Sequence, residues 1–379
     1  MKPVIFVLLA IGLASCASAP AKPGTSLFAD AWFNPPEQPF RRADIFAISA
    51  PMQEFLTTRM AESLRHKGSR ISLFEALQGE LKLEFDSSMT RTAAQAFEAR
   101  SGNCLSLVIL TAAFAQELGV PVVYQDVSGY DTWSRAGGLA FLSGHVNLVL
   151  GTRRTGSLVE QGERSMTVDF LPQSAGTVRR TSVVSQDTIV AMYFNNRAAE
   201  TLAAGDTNGA YWWARAAVEA APAFLNSYNT LGVIYLRHGN FTDAERALGF
   251  ALELEPGNAR VMSNLVRALT ALGRVAEAQQ MQVRLAQLVE FPPFYFFEQG
   301  MAALQAGDNN VAIVQFGKEL ARMPYSHELH FFTALAELRL GEIRQARKHL
   351  VLALENSTTP DSRGIYAAKL EHLRALEVH

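Results

Sequence analysis

A 34-residue period governs the second half of the chain. Gly205, Gly239, Gly273, Gly307 and Gly341 recur at that spacing, and Ala210, Ala244, Ala278, Ala312 and Ala346 recur in the same register. A glycine adopts the left-handed turn that stops a helix, and a small alanine lets two helices approach. Pro222, Pro256 and Pro324 close three of the units, where a proline can open the next helix. No single unit of two helices buries its apolar face, so the copies must stack on one another. The period predicts an all-α solenoid of five repeats over residues 188–360 and an amphipathic capping helix over 361–379.

These units resemble the tetratricopeptide (TPR) consensus. The cleanest copy runs Tyr228-Asn229-Thr230-Leu231-Gly232-Val233-Ile234-Tyr235, followed by Ala244, Leu248, Ala251 and Pro256. The resemblance implies a concave groove that recruits a protein or peptide in extended form. The first helix of each repeat would line it, which places Asn195, Asn229, Arg237 and Arg267 there. Two aromatic runs stand out. Phe294-Tyr295-Phe296-Phe297 cannot all face inward on one helix, and Tyr211-Trp212-Trp213 is expected to pack against the domain that precedes the repeats.

The opposite end reads as a targeting segment. Lys2 precedes an apolar run from Val4 to Leu13 that is too short to span a bilayer. Leu13-Ala14-Ser15-Cys16 then resembles the bacterial lipoprotein box. That likeness implies a signal segment over 1–16 ending at a lipidated Cys16. It also implies an anchor facing the periplasm, with Ala17 favouring the outer membrane. Residues 17–40 carry Pro20, Pro23, Pro35, Pro36 and Pro39 among small and polar residues, and are expected to form a tether.

Between tether and repeats, residues 41–180 read as a separate domain. Ile45, Phe46, Ile48, Met52, Phe55, Leu56, Met60 and Leu64 recur at helical spacing, and a second helix is expected from Thr90 to Arg100. From Leu105 to Leu118 the chain is apolar on nearly every side, stops at Gly119 and meets Pro121, which predicts a buried helix. Cys104 falls in its first turn. Unpaired N–H groups and the helix dipole favour an anion there, and a thiol so placed can drop from about 8.5 into the range of roughly 3.5–7.5. Cys16 and Cys104 are the two cysteines of the chain. Lipidation of the first would leave the second unpaired in an oxidising compartment.

Beyond Pro121 the period changes to alternation. Val122–Val127 is an expected strand, and so is Gly144–Leu150, with Val146, Leu148 and Leu150 on one face and His145 and Asn147 on the other. Gln161-Gly162 suggests a hairpin turn. After it Met166, Val168 and Phe170 alternate with Thr167 and Asp169. A thiol nucleophile needs a base within hydrogen-bond reach, and the base needs a carboxylate to fix its tautomer. His145 and Asp169 sit on the polar faces of two strands, whereas His66 lies in the polar run Arg65-His66-Lys67-Gly68.

Cysteine on a helix start, then histidine and aspartate on successive strands, resembles the transglutaminase-like superfamily and its papain-like fold. The segment Ala94–Cys104 is similar to that family's approach to its nucleophile, and Glu117-Leu118-Gly119-Val120-Pro121 to its helix-to-strand corner. The likeness covers roughly residues 85–172, and departs from many members in Leu105 and Val146-Asn147, where they carry aromatic residues. It implies an α+β domain with Cys104 as nucleophile, His145 as general base and acid, and Asp169 as the orienting carboxylate. An oxyanion would need donors, for which the Cys104 N–H and the Gln125 side chain are candidates.

A net charge of −2 gives no reason to expect nucleic acid as a partner. No cofactor is implied, and the histidines show no paired spacing with a second cysteine that would suggest a metal. Two functions stay open. One is a lipid-anchored thiol hydrolase of amide bonds fed by the repeats. The other is an inactive TPR lipoprotein acting as an adaptor at the outer membrane.

Overall fold

The computed structural model describes residues 27–37, 40–136, 139–151, 165–170, 180–291 and 294–377. The expected lipidation site Cys16 and the Gln161-Gly162 turn lie outside them. Among the described residues no helix is long and apolar enough to cross a membrane. The described residues are mostly helical, with two small sheets among them.

The expected helical region after residue 41 is broken into short pieces: α1 (Arg42–Ile45), α2 (Ala50–Thr57), α3 (Ala61–Lys67) and α4 (Ser69–Glu75), which runs on into a π-turn at Ala76–Glu80. Gly68, at φ 77°, separates α3 from α4. Next come β1 (Glu84–Phe85), α5 (Ala93–Ala99), β2 (Ser101–Gly102) and α6 (Cys104–Glu117). A capping box starts α5, with Thr92 accepting from the Gln95 N–H and the Gln95 side chain from the Thr92 N–H. Arg100, left-handed at φ 53°, ends it. The short β1 and β2 pair in parallel, Glu84 with Ser101 and Phe85 with Gly102.

Every residue of α6 from 105 to 115 is buried, as its unbroken apolar surface requires. It lies on a four-stranded sheet built from β3 (Val122–Ala136), β4 (Leu139–Leu150), β5 (Met166–Val168) and β6 (Arg180–Val184), in the order β5-β4-β3-β6. All three pairings are antiparallel. Tyr124, Val146, Leu148, Leu150 and Val168 face the helix and join its core. The alternating pattern thus selects the inner face correctly. The long extensions of β3 and β4 and the edge strand β6 carried no comparable signal.

Five helix pairs follow: α7 (Gln186–Ala203) with α8 (Thr207–Ala220), α9 (Leu225–His238) with α10 (Phe241–Leu254), α11 (Ala259–Ala271) with α12 (Val275–Leu288), α13 (Tyr295–Ala306) with α14 (Asn309–Arg322), and α15 (His327–Arg339) with α16 (Ile343–Glu355). A last helix, α17 (Pro360–Glu377), covers the end. The five periodic glycines all take positive φ, between 75° and 93°, at the turn inside each pair. The five periodic alanines are buried between the paired helices. Helix α7 belongs to both parts of the molecule. Ile189, Val190, Tyr193 and Phe194 complete the core around α6, while Ala198 and Leu202 open the core of the repeats. Trp213 of α8 stacks on Phe40 at 3.4 Å between ring centroids, lies against Phe194 and packs on the core around α6, whereas Tyr211 and Trp212 of the same run meet residues 29–34 instead.

The array is not the single continuous stack that its period suggests. One apolar core ends at Ala278 and Met281, and the next begins at Phe294. Helix α12 buries Ala278 alone, whereas α10 buries Ala244, Ala247, Leu248 and Ala251. The cause is local. Ala198, Gly232, Gly300 and Ala334 occupy equivalent positions in the other repeats, and the third repeat has Val266. At Gly232 a Cβ would come within 2.5 Å of Leu248, and at Gly300 within 2.5 Å of Phe316. Val266 is the larger residue there, and the equivalent facing position on α12 is the polar Gln282 where the second and fourth pairs have Leu248 and Phe316. An open cleft lies beside it, with Leu265, Leu269 and Met281 among its lining and Glu245, Arg274 and Glu277 at its rim. The aromatic run divides as expected. Phe294 and Phe297 are buried, Tyr295 is exposed and Phe296 is half-buried.

The expected tether is fixed over part of its length. Phe33 stacks on Tyr211 at 4.0 Å and lies 4.6 Å from the His238 ring. Tyr211 donates to Asp30 and accepts from the Ala29 N–H, and Tyr235 donates to the Leu27 carbonyl at 2.9 Å. Asn208 reads both backbone groups of Asn34, accepting from its N–H and donating to its carbonyl.

Candidate functional site

Cys104 is the first residue of α6 and is partly buried. Asn103 caps the helix, its Oδ1 accepting from the Ser106 N–H at 2.9 Å. Gly102 is needed just before it, because a Cβ there would lie 2.7 Å from the Ser106 Cβ. Asp86, on the loop after β1, donates its N–H to the Gly102 carbonyl and pairs with Arg91 at 2.8 Å. Burial raises the Asp86 carboxyl, but the hydrogen bonds from Ser88 and then the pairing with Arg91 together outweigh it and hold the group below its usual range.

His145 on β4 is buried, and its Nε2 lies 2.8 Å from Asp169 Oδ1, immediately beyond β5. A carboxylate only accepts, so Nε2 carries the proton in this bond and Nδ1 is the basic nitrogen of the neutral ring. Asn147, two residues on and on the same face of β4, donates to Asp169 Oδ2 at 3.3 Å. The carboxylate is therefore held at both oxygens. Gln125 of β3 pairs directly with Asn147 across the ladder, which puts it on that same face. The structure brings His145 and Asp169 together, with Gln125 alongside.

Electrostatics at the thiol run against the sequence expectation. The Cys104 thiol is pushed up to about 12, first by burial and then by the nearby Asp169 carboxylate, with its own backbone N–H opposing them. A depressed thiol was expected from the helix start alone. Desolvation of the thiolate is the larger effect here.

In the repeats, Asn229 on α9 accepts from Asn264 Nδ2 on α11 at 2.9 Å, and Asn226 accepts from Arg260 at 2.9 Å. Neighbouring first helices are laced together along this face. Asn195 on α7 has a buried Oδ1 with no hydrogen-bond partner among the described residues. Arg237 and Arg267 are both exposed. Among the described residues no group of three or more His, Cys, Asp or Glu side chains could hold a metal ion. Two polar residues were missed in the sequence. Asn147 was legible only as a companion of His145 two positions away, and Thr90 only as the expected start of a helix.

The family model for the tetratricopeptide repeat matches residues 235–287. No curated protein matches. Among solved structures, MamA is 21% identical over 45% of this chain and 92% of its own, with a TM-score of 0.26. PilF of Pseudomonas aeruginosa is 20% identical over 50% of this chain and 94% of its own, at 0.28. YrrB, described as a TPR protein with an unusual peptide-binding site, is 19% identical over 48% and 92%, at 0.26. The chain carries TPR repeats, the class of module that mediates protein–protein interaction.

Proposed function

We propose that this protein binds an extended protein or peptide segment on the first helices of its repeats. The observation that carries this reading is the row of amide side chains on α7, α9 and α11. Asn229 and Asn264 are partly buried on that row and bonded to each other at 2.9 Å, and Asn195 adds a third amide, whose Oδ1 has no partner among the described residues. Amide side chains so placed can donate to and accept from the backbone of an extended peptide. Binding to an immobilised library of unstructured peptides tests this. The tightest hit is carried into titration with Asn195→Leu and Asn229→Leu, each expected to weaken binding about tenfold. Unchanged affinity in both folded variants would overturn the assignment of the groove.

A second reading is supported by the 2.8 Å contact between His145 and Asp169 and by the proximity of Asp169 to Cys104. In it the domain is papain-like and works as a thiol hydrolase on an amide. Nδ1 of His145 takes the Cys104 proton, and the sulfur attacks the carbonyl carbon. The Cys104 N–H and Gln125 stabilise the oxyanion. The imidazolium returns the proton to the departing amine, leaving a thioester that water hydrolyses. Burial holds an isolated thiol protonated, so this chemistry needs the thiolate–imidazolium pair. Iodoacetamide labelling across pH decides between the readings. A profile shifted to acid and lost in His145→Ala supports the hydrolase, and reactivity only at high pH supports a binding protein without catalysis. Attachment through a lipidated Cys16 to the periplasmic side of the outer membrane is a further part of this proposal. Mass spectrometry of the envelope-extracted N-terminus tests it.

A further inference from the structure

A fully buried threonine joins the head of α6 to the first helix of the repeats. Thr90 donates its N–H to Glu200 Oε1 at 2.7 Å, and its Oγ1 accepts from Asn196 Nδ2 at 3.2 Å. Both partners lie on α7. The same Oγ1 accepts from Asn103 Nδ2 at 2.8 Å. The Thr90 hydroxyl gives its own proton to the Glu200 carboxylate, so toward Asn103 it only accepts. With its amide nitrogen on Thr90, Asn103 must turn Oδ1 toward α6, where it accepts from the Ser106 N–H and from the Ser106 hydroxyl at 2.8 Å. Flipped, the amide would set an N–H₂ against the Ser106 N–H, donor facing donor, and the cap would be lost. The Ser106 hydroxyl accepts in turn from the Arg91 N–H at 2.8 Å. The loop that carries Thr90 is also met from the far end of the array, where the Ser87 N–H donates to the Thr358 carbonyl at 2.8 Å.

We propose that Thr90 is a positioning residue for Cys104: by fixing the capping orientation of Asn103 it holds the first turn of α6, and through Asn196 and Glu200 it makes α7 part of the thiol site. The proposal rests on the thiol reading above for its chemical meaning. The Cys104 N–H, which favours the thiolate, belongs to the turn that this cap secures. Asn195, a groove residue, adjoins Asn196 in sequence, so an occupant of the groove acts on the same helix that steadies the cap.

The test uses the full chain with Thr90→Val, Thr90→Ser and Asn196→Leu, read by hydrogen exchange at the Ser106 amide and by the pH profile of Cys104 alkylation. Thr90→Val keeps the branched shape and removes the acceptor. It should speed Ser106 exchange about tenfold and move the alkylation profile upward by about half a pH unit, a threefold loss of rate at fixed pH. Thr90→Ser keeps the oxygen and should stay within twofold of the parent. Asn196→Leu leaves Thr90 in place and should show the same changes at smaller size. Parent-like exchange and parent-like alkylation in Asn196→Leu and in a folded Thr90→Val overturn the proposal. A parent thiol that resists alkylation up to about pH 10, while Ser106 protection still depends on Thr90, overturns the thiol reading and spares the cap network.

Discussion

A helix start and a dry environment pull a thiol in opposite directions, and at Cys104 the dry environment is stronger. The sequence displays the first influence openly, since Gly102-Asn103 before an apolar run marks a helix start. It hides the second, because burial and the approach of Asp169 depend on segments 65 residues away. Gly102 tests how tightly this turn is built. Gly102→Ala places a methyl 2.7 Å from the Ser106 Cβ, an atom fixed by the helix rather than the far end of a flexible side chain. We expect a loss of about 1–3 kcal/mol by denaturant titration, together with faster exchange at Ser106. A second residue-scale prediction concerns Glu337 on α15. Burial, with Glu342 adding to it, pushes its carboxyl up to about 7, while burial and His330 push His349 down to about 4. His330 and His349 face each other through Nδ1 at 2.9 Å, and His349 Nε2 lies 3.7 Å from Glu337. The folded-state value of Glu337 lies above its unfolded one. Its favourable contribution is therefore complete below about pH 4.5 and is lost as pH rises through 7. Glu337→Gln removes that dependence. Relative to the parent it should raise the Tm at about pH 8 and leave it nearly unchanged at about pH 4. A uniform shift at both would contradict the assignment.

At the scale of elements, period and packing part company in the third repeat. Glycine and alanine at fixed spacing were enough to place every turn and every close pair contact, because those positions have steric meaning in isolation. Whether a pair closes depends on what stands opposite, and Val266 at a position of small residues is a weak sign until α12 is seen beside it. The contrast is measurable. Gly232→Ala must move Leu248 and should cost about 1–3 kcal/mol. Val266→Ala, although it truncates a buried side chain, should cost less than about 1 kcal/mol because α12 can settle into the space, well below the usual range for emptying a core site. Equal losses in the two variants would mean that the third pair is as tight as the second. The strands divide in a similar way. Alternation from residue 144 to 150 marked the inner face of β4, while β6, with Val183 exposed and only five residues long, offered no alternation against a core.

For the whole molecule, the break after α12 leaves two groups of repeat helices that we expect to open separately. One contains α7 to α12 and shares α7 with the core around α6. The other contains α13 to α17. Its first helix is capped from within the block by Glu319, a fully buried carboxylate of α14 that accepts the Phe296 N–H at 2.8 Å and pairs with Arg322. Arrays unfold through their weakest interface. Hydrogen exchange in rising denaturant should open α13–α17 before α9–α10, and Glu319→Ala should lower the stability of the second block while leaving the exchange of α9 unchanged. Simultaneous opening of all ten repeat helices would contradict this division. The arrangement of cores could not be read from a period that runs unbroken through the junction, with Gly273 and Gly307 in perfect register.

The clasp on Leu27 and Phe33 also sets a leash. About eleven peptide units separate residue 16 from Leu27, and at no more than roughly 3.6 Å each they reach some 40 Å at full stretch. Under the proposed lipidation of Cys16, Leu27 and the tyrosines of α8 and α9 that hold this segment stay within about that distance of the anchor. Such an anchor would load the repeats through this clasp before the domain that carries Cys104.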